Sequence, residues 1–158
     1  MYDLHREVIE SLTVAPETLA GLLRGISQDR ARSARDGDEG WSVVEVLCHL
    51  RDAEEISRER MRAMRDRDNP VILAYDQMAL ARERKYEQDD PAAALEAFAR
   101  LRAGHVAELA ALRPEQWDRT GQHNETGVIS IYAHSLHKVH HDAIHCAQIA
   151  RQLIRYER

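Results

Sequence analysis

From Ser130 to its last residue the chain contains neither proline nor glycine, and this stretch limits the fold more than any other. Nothing in it ends a helix, so it reads as one long helix. Its apolar residues, from Ile131 through Val139 and Ala147 to Ile154, spread over more than half of the helix circumference. A helix that is apolar so far round is expected to be covered on more than one side, by lying centrally or by a second chain. Five of the nine histidines also lie in it, between His134 and His145. Residues four apart on a helix stand on one face, one turn above the other. His141 and His145 are such a pair and can share one metal ion, whose remaining ligands must come from elsewhere.

The rest of the chain points to the same class. Ala, Leu, Arg and Glu dominate and there is one Phe, so an all-α fold is expected. A first helical region runs from about Leu4 to Arg32, with Pro16 expected to begin a new turn. Arg35 to Gly40 is a loop by composition. Ser42 and Glu45 have the spacing of a capping box, so the next helix opens at Trp41-Ser42. Its stripe of Val43, Val46, Leu47, Leu50, Ala53 and Ile56 fades before Pro70. A short, charged helix between Tyr75 and Tyr86 precedes one from Pro91 to Leu112. Arg113 to Trp117 is a turn, and Asp118 to Gly127 reads as polar and irregular. Four main helices with short additions suggest a four-helix bundle.

Several function classes are disfavoured by bulk properties. With 158 residues the chain suits one domain. No apolar run reaches the length of a membrane span, and the first residues lack the apolar core of a secretory signal, so a cytoplasmic location is expected. The net charge of −5, with Arg interleaved among Asp and Glu, argues against nucleic acid as a partner. Cys48 and Cys146 are too few and too far apart for a disulfide framework; they are expected as small, reduced, buried side chains.

His49 lies at the edge of an apolar stripe, away from the terminal cluster. Alone it would be a satisfied core histidine. With the terminal pair it completes three imidazoles from two helices, a ligand set that leaves coordination positions open for water or substrate. Spacing does not fix the set, because His137 and His141 are also four apart and His134, His137 and His141 are three and four apart. Other patterns fail: there is no His-Glu-x-x-His, no Glu-x-x-His, no Gly-x-Ser-x-Gly and no phosphate-cradling glycine loop.

Two segments carry a family resemblance. Residues 41–54, with Trp41-Ser42, Glu45-Val46-Leu47, His49-Leu50 and Asp52-x-Glu54, resemble the corresponding stretch of the DinB/YfiT-like superfamily. His141-x-x-x-His145-x-x-Gln148-Ile149 resembles its terminal motif. Trp117 and Gly127 fit the intervening pattern. The resemblance implies an up-down-down-up four-helix bundle, commonly a homodimer, with a divalent metal on His49, His141 and His145. It also implies metal-dependent hydrolases, or enzymes that use low-molecular-weight thiols for S-transfer and isomerisation.

The leading expectation is therefore a three-histidine metalloenzyme that activates water or a thiol against a small-molecule substrate. Zinc is the first choice of ion on abundance and nickel the second. Glu45 and Asp52, about one turn from His49, are candidate bases. Their plainer readings are a helix cap for Glu45 and a solvated face for Asp52. His137 and His123 are candidates to border the pocket, and Trp41, Trp117 and Tyr132 to wall it. The alternatives are a non-catalytic metal-binding bundle and a stress-related protein that uses its histidines as a pH-sensitive dimer face.

Overall fold

The computed structural model describes residues 3–37 and 40–155. Four long helices build it: α1 (Leu4–Leu22), α3 (Val43–Asp66), α5 (Pro91–Ala110) and α6 (Ile131–Arg155). Two short ones join them, α2 (Gln28–Ser33) and α4 (Gln77–Glu83). Single 3₁₀ turns lie at Tyr86–Gln88 and Pro114–Asp118. The starts of the helices follow local chemistry. Asp3, Ser27, Asp76 and Asp90 each accept from a backbone N–H of the first turn. Ser42 and Glu45 form the expected capping box at the head of α3.

Two apolar clusters fill the bundle and reveal the helix directions. One unites Leu19 of α1, Val43 and Leu47 of α3, Phe98 of α5 and Leu153 of α6. The other unites Val8, Met64, Leu109 and Ile131 from the opposite ends of the same helices. Hence α1 runs up, α3 and α5 run down, and α6 runs up. Helices α3 and α5 are parallel neighbours, so residues 67–90 must carry the chain back along the bundle, and they do so through β1 (Val71–Ile72), α4 and a 3₁₀ turn.

Two local expectations are corrected, and of the two covers expected for α6 the first is removed. Pro16 starts no new turn; it lies inside α1, which continues unbroken to Leu22. The chain then turns at Gly25, whose φ of +77° favours glycine. Proline lacks the N–H that would bond to the carbonyl of Leu12, and the buried Arg102 side chain donates to that oxygen at 2.7 Å instead. Residues 118–127 are not irregular. β2 (Thr120–His123) pairs antiparallel with β3 (Gly127–Ser130) and parallel with β1. The strands are two to four residues long, β2 is polar, and the apolar pairs Val71-Ile72 and Val128-Ile129 are adjacent rather than alternating, so no period betrays them. Finally, α6 is not enclosed by its own chain: Leu136, Ile144 and Ile154 are 48%, 49% and 60% exposed on its outer side. Among the described residues no helix is long and apolar enough to cross a membrane.

Candidate metal centre

Helices α3 and α6 are adjacent, and they bring three histidines to one point. The loop and short helices around the head of α3 cover its outer side, so Val43 to Leu50 is almost wholly buried and His49 is 3% exposed. His141 and His145 project from successive turns of α6 towards it. One ligand atom from each of the three rings lies within 4.8 Å of the other two. The ring centroids are 5.0 Å apart for His49 and His141, 4.9 Å for His49 and His145, and 4.5 Å for His141 and His145. Trp41 closes one side, its ring 5.0 Å from that of His49.

The chemistry of the donor set fits a divalent metal ion. Burial, reinforced by the neighbouring imidazoles and the Lys138 ammonium, pushes His49 down to about 2. Burial likewise lowers His141 to about 4 and lowers His145. All three are therefore neutral at physiological pH, which is the form that coordinates metal. His49 Nε2 and His141 Nε2 lie 2.9 Å apart and share a hydrogen bond. His145 Nδ1 donates to Gln148 Oε1 at 2.8 Å, which fixes the ring and turns Nε2 to the cluster. Replacing Gln148 by leucine frees that ring, so metal affinity should fall by about 10–100-fold. Competitive titration against a chromogenic chelator measures it, and unchanged affinity would deny Gln148 this role.

The three-histidine cluster stands between two cavities. One, of about 210 Å³, lies between α3, the 75–77 segment and α6. The other, of about 430 Å³, opens past Trp41, Met78 and Gln148. His49, Gln77 and His141 line both.

Comparison with known proteins identifies the family. The family model of the DinB superfamily matches residues 11–149. The chain belongs to the DinB superfamily. A relative from Bacillus subtilis (strain 168), named "Putative metal-dependent hydrolase YfiT", is 29% identical over 124 residues, which cover 75% of this chain and 68% of its own. The solved structure of YfiT from Bacillus subtilis matches with a TM-score of 0.88 at 25% identity, over 97% of this chain and 87% of that one. Its description is of a probable metal-dependent hydrolase with an unusual four-helix bundle topology.

In this DinB-superfamily chain the cluster is backed by a buried charge network. Arg102 donates from Nε and Nη2 to the two oxygens of Glu54, at 2.9 and 2.7 Å, and from Nη1 to Asp142 at 2.6 Å. His105 Nδ1 is 2.8 Å from Glu54, and Lys138 donates to Asp142 at 3.0 Å. All five are under 5% exposed. Burial works against the charge on Glu54, but hydrogen bonds from His105 and Arg102 and the nearby cations hold its carboxyl well below the usual range. The network reaches the centre through His141, whose Nδ1 lies 3.4 Å from Lys138 Nζ and 3.8 Å from Asp142 Oδ1.

The other candidate residues divide. Glu45 is the helix cap: one oxygen accepts from Ser42 N and Oγ at 2.8 and 2.7 Å and from Arg35 at 3.0 Å. Asp52 is not on a solvated face. It is 1% exposed and held by the Tyr86 hydroxyl at 2.6 Å, Arg51 at 2.8 Å and Arg84 at 3.0 Å. Neither carboxylate lines either cavity, because each is committed to partners on the far side of α3. Trp41 and His137 border the cavities as expected. Trp117 and Tyr132 instead pack with His5 at the other end of the bundle. His123 caps the β2–β3 turn, its Nδ1 accepting from the backbone of Glu125 and Thr126. His140 is exposed. Cys48 is buried and donates to Asp89; burial pushes its thiol well up, so it is no nucleophile at neutral pH. The sequence reading missed Ser57, Arg60, Tyr75 and Gln77 around the smaller cavity, and the partners of Glu54. Glu54 did carry a signal, because it shares a face of α3 with Leu50 and Ser57.

Proposed function

We propose that this protein is a metal-dependent hydrolase acting on a small molecule, with a divalent ion held by His49, His141 and His145. One observation carries the reading: three neutral, nearly converging imidazoles stand beside two cavities, with His49 and His141 in the wall of both and His145 in the wall of the larger. A metal ion bound there supplies Lewis-acid chemistry and lowers the pKa of a bound water towards neutrality. The protein does the rest. The three rings present lone pairs and no negative charge, which preserves the positive charge of the ion. Gln148 fixes His145, and the Lys138–Asp142 pair flanks the outer nitrogen of His141. Trp41 and the bundle core shield one side from water. The likeness to YfiT, whose name describes the same class of reaction, supports the reading. Zinc is the proposed ion, with nickel the alternative, since imidazole suits both.

Thiol transfer is the second reading, favoured by the presence of a cavity on each side of the cluster. One would receive the electrophile and the other a low-molecular-weight thiol, which a metal deprotonates on binding. A panel of esters, amides and electrophiles, assayed with and without added thiol, separates the two. Turnover should vanish on chelation with the circular dichroism spectrum unchanged, and return with zinc or nickel. Full turnover after complete metal removal would defeat both readings.

A further inference from the structure

We propose that the 210 Å³ cavity beside the histidine cluster receives the anionic end of a small substrate, and that Arg60 is the residue that selects for it. This rests on the reading of the cluster as a reaction centre, and it names the substrate class for that centre. The observation behind it is a charge imbalance. The chain carries 27 acidic against 22 basic residues. Yet the cavity wall holds Arg60, Lys138 and four histidines, and no carboxylate.

The two cations differ. Lys138 is already compensated by Asp142 at 3.0 Å and Glu54 at 3.6 Å. Arg60 is half-buried, and among the described residues no carboxylate lies within 4 Å of it. Its guanidinium is held in place all the same: Nη2 donates to the carbonyl of Leu73, and the group lies 5.7 Å from the ring centroid of Tyr75. Among the described residues its Nε and Nη1 have no acceptor. Arg60 is fixed with two donors open, and the carboxylate that acts on it, Glu125, does so beyond ion-pair distance, so an anion in the cavity would gain charge-assisted hydrogen bonds from it. Its planar fork matches the oxygens of a carboxylate or a phosphate.

The position of Arg60 also bears on substrate shape. His49, Ala53, Ser57 and Arg60 descend one face of α3, so His49 and Arg60 are separated by about 16 Å of helix rise. Helical side chains lean towards the N-terminus, so Arg60 leans back towards the cluster. The anionic group and the reacting bond thus sit at opposite ends of a short molecule, several bonds apart. Ser57 and His134 offer polar contacts between them.

The test uses the whole protein stripped of metal at pH 8, so that an anion cannot bind through an ion. Succinate and inorganic phosphate are titrated by calorimetry, with succinamide as the uncharged control. Saturable binding below about 10 mM is expected for at least one anion and not for succinamide. Whichever anion binds tells a carboxylate subsite from a phosphoryl one. Arg60→Gln should weaken that binding about tenfold or more with the fold unchanged. Should the variant fail to fold, the wild type still decides, because the Arg60 Nε–H resonance must shift with the titration. No saturable binding, equal affinity in Arg60→Gln, or a stationary Arg60 resonance would overturn the proposal. Because no metal is present, this outcome is independent of whether the metal reading holds.

Discussion

Replacing His49 by alanine should empty the metal centre and leave the bundle standing. Wild-type protein, purified without a polyhistidine tag, should hold about one ion per chain by plasma mass spectrometry. The variant should hold almost none. Structural zinc sites bind with about 10–16 kcal/mol of apparent free energy, so each ligand accounts for on the order of 3–4 kcal/mol, more than two decades in affinity. The fold should survive, because the imidazole contributes little apolar packing and its two cluster neighbours stay neutral and hydrogen-bond capable. Circular dichroism and thermal melting of both metal-free proteins check that point. An ion retained at full stoichiometry in His49→Ala would move the metal away from the α3–α6 contact and end the hydrolase reading.

The other large effect is structural. Arg102→Met should destabilise the protein by about 3–5 kcal/mol, since it leaves the carboxylates of Glu54 and Asp142 buried with only Lys138 and the His105 ring beside them. Domains of this size lose roughly 2–4 °C of Tm per kcal/mol, so the midpoint should fall by about 6–20 °C. Changing Glu54 to leucine in the same background should restore part of the loss, because the second substitution removes the stranded charge. The pH dependence has a definite sign. Glu54 and Asp142 are held well below ordinary carboxylates in the folded protein. Their stabilisation is therefore complete above the unfolded value of about 4 and is lost as the pH falls below it, towards their folded values. Urea titrations between pH 7 and pH 3 should show a steeper loss in the wild type than in Arg102→Met. A variant within about 1 kcal/mol of wild type at pH 7 would show that the network is not held as a unit.

The helices were legible because their signals are local. Ser42 with Glu45, Asp90 with Pro91, and the breakless run after Ser130 each state a helix end or interior within a few residues. Two of the three clustered histidines were legible for the same reason, as His141 and His145 are one turn apart. His49 was legible only as a candidate third imidazole beside that pair, and the resemblance was needed to fix the set, since spacing leaves His134 and His137 open as well. The charge network was not legible: Glu54 and Arg102 are 48 positions apart on helices whose adjacency no short motif encodes. The base assignments to Glu45 and Asp52 rested on helical distance from His49 alone. Distance along a helix does not say which way around it a side chain points, and both turn to cationic or capping partners instead. The β2–β3 hairpin escaped because neither four-residue strand, Thr-Gly-Gln-His or Gly-Val-Ile-Ser, alternates apolar with polar.

The carbonyl of Leu12 bears on how the helices find their places. Side-chain packing in a bundle tolerates sliding, because apolar surfaces one helical turn apart look much alike. Inside a helix every carbonyl is occupied by the N–H four residues on, except where that residue is a proline. Pro16 therefore leaves α1 one vacant acceptor in its interior, and Arg102 occupies it from α5. A slip of one turn, about 5.4 Å, would present that guanidinium with a carbonyl already taken. The proline acts as an index mark, setting the axial register of α1 against the helix that carries the central arginine.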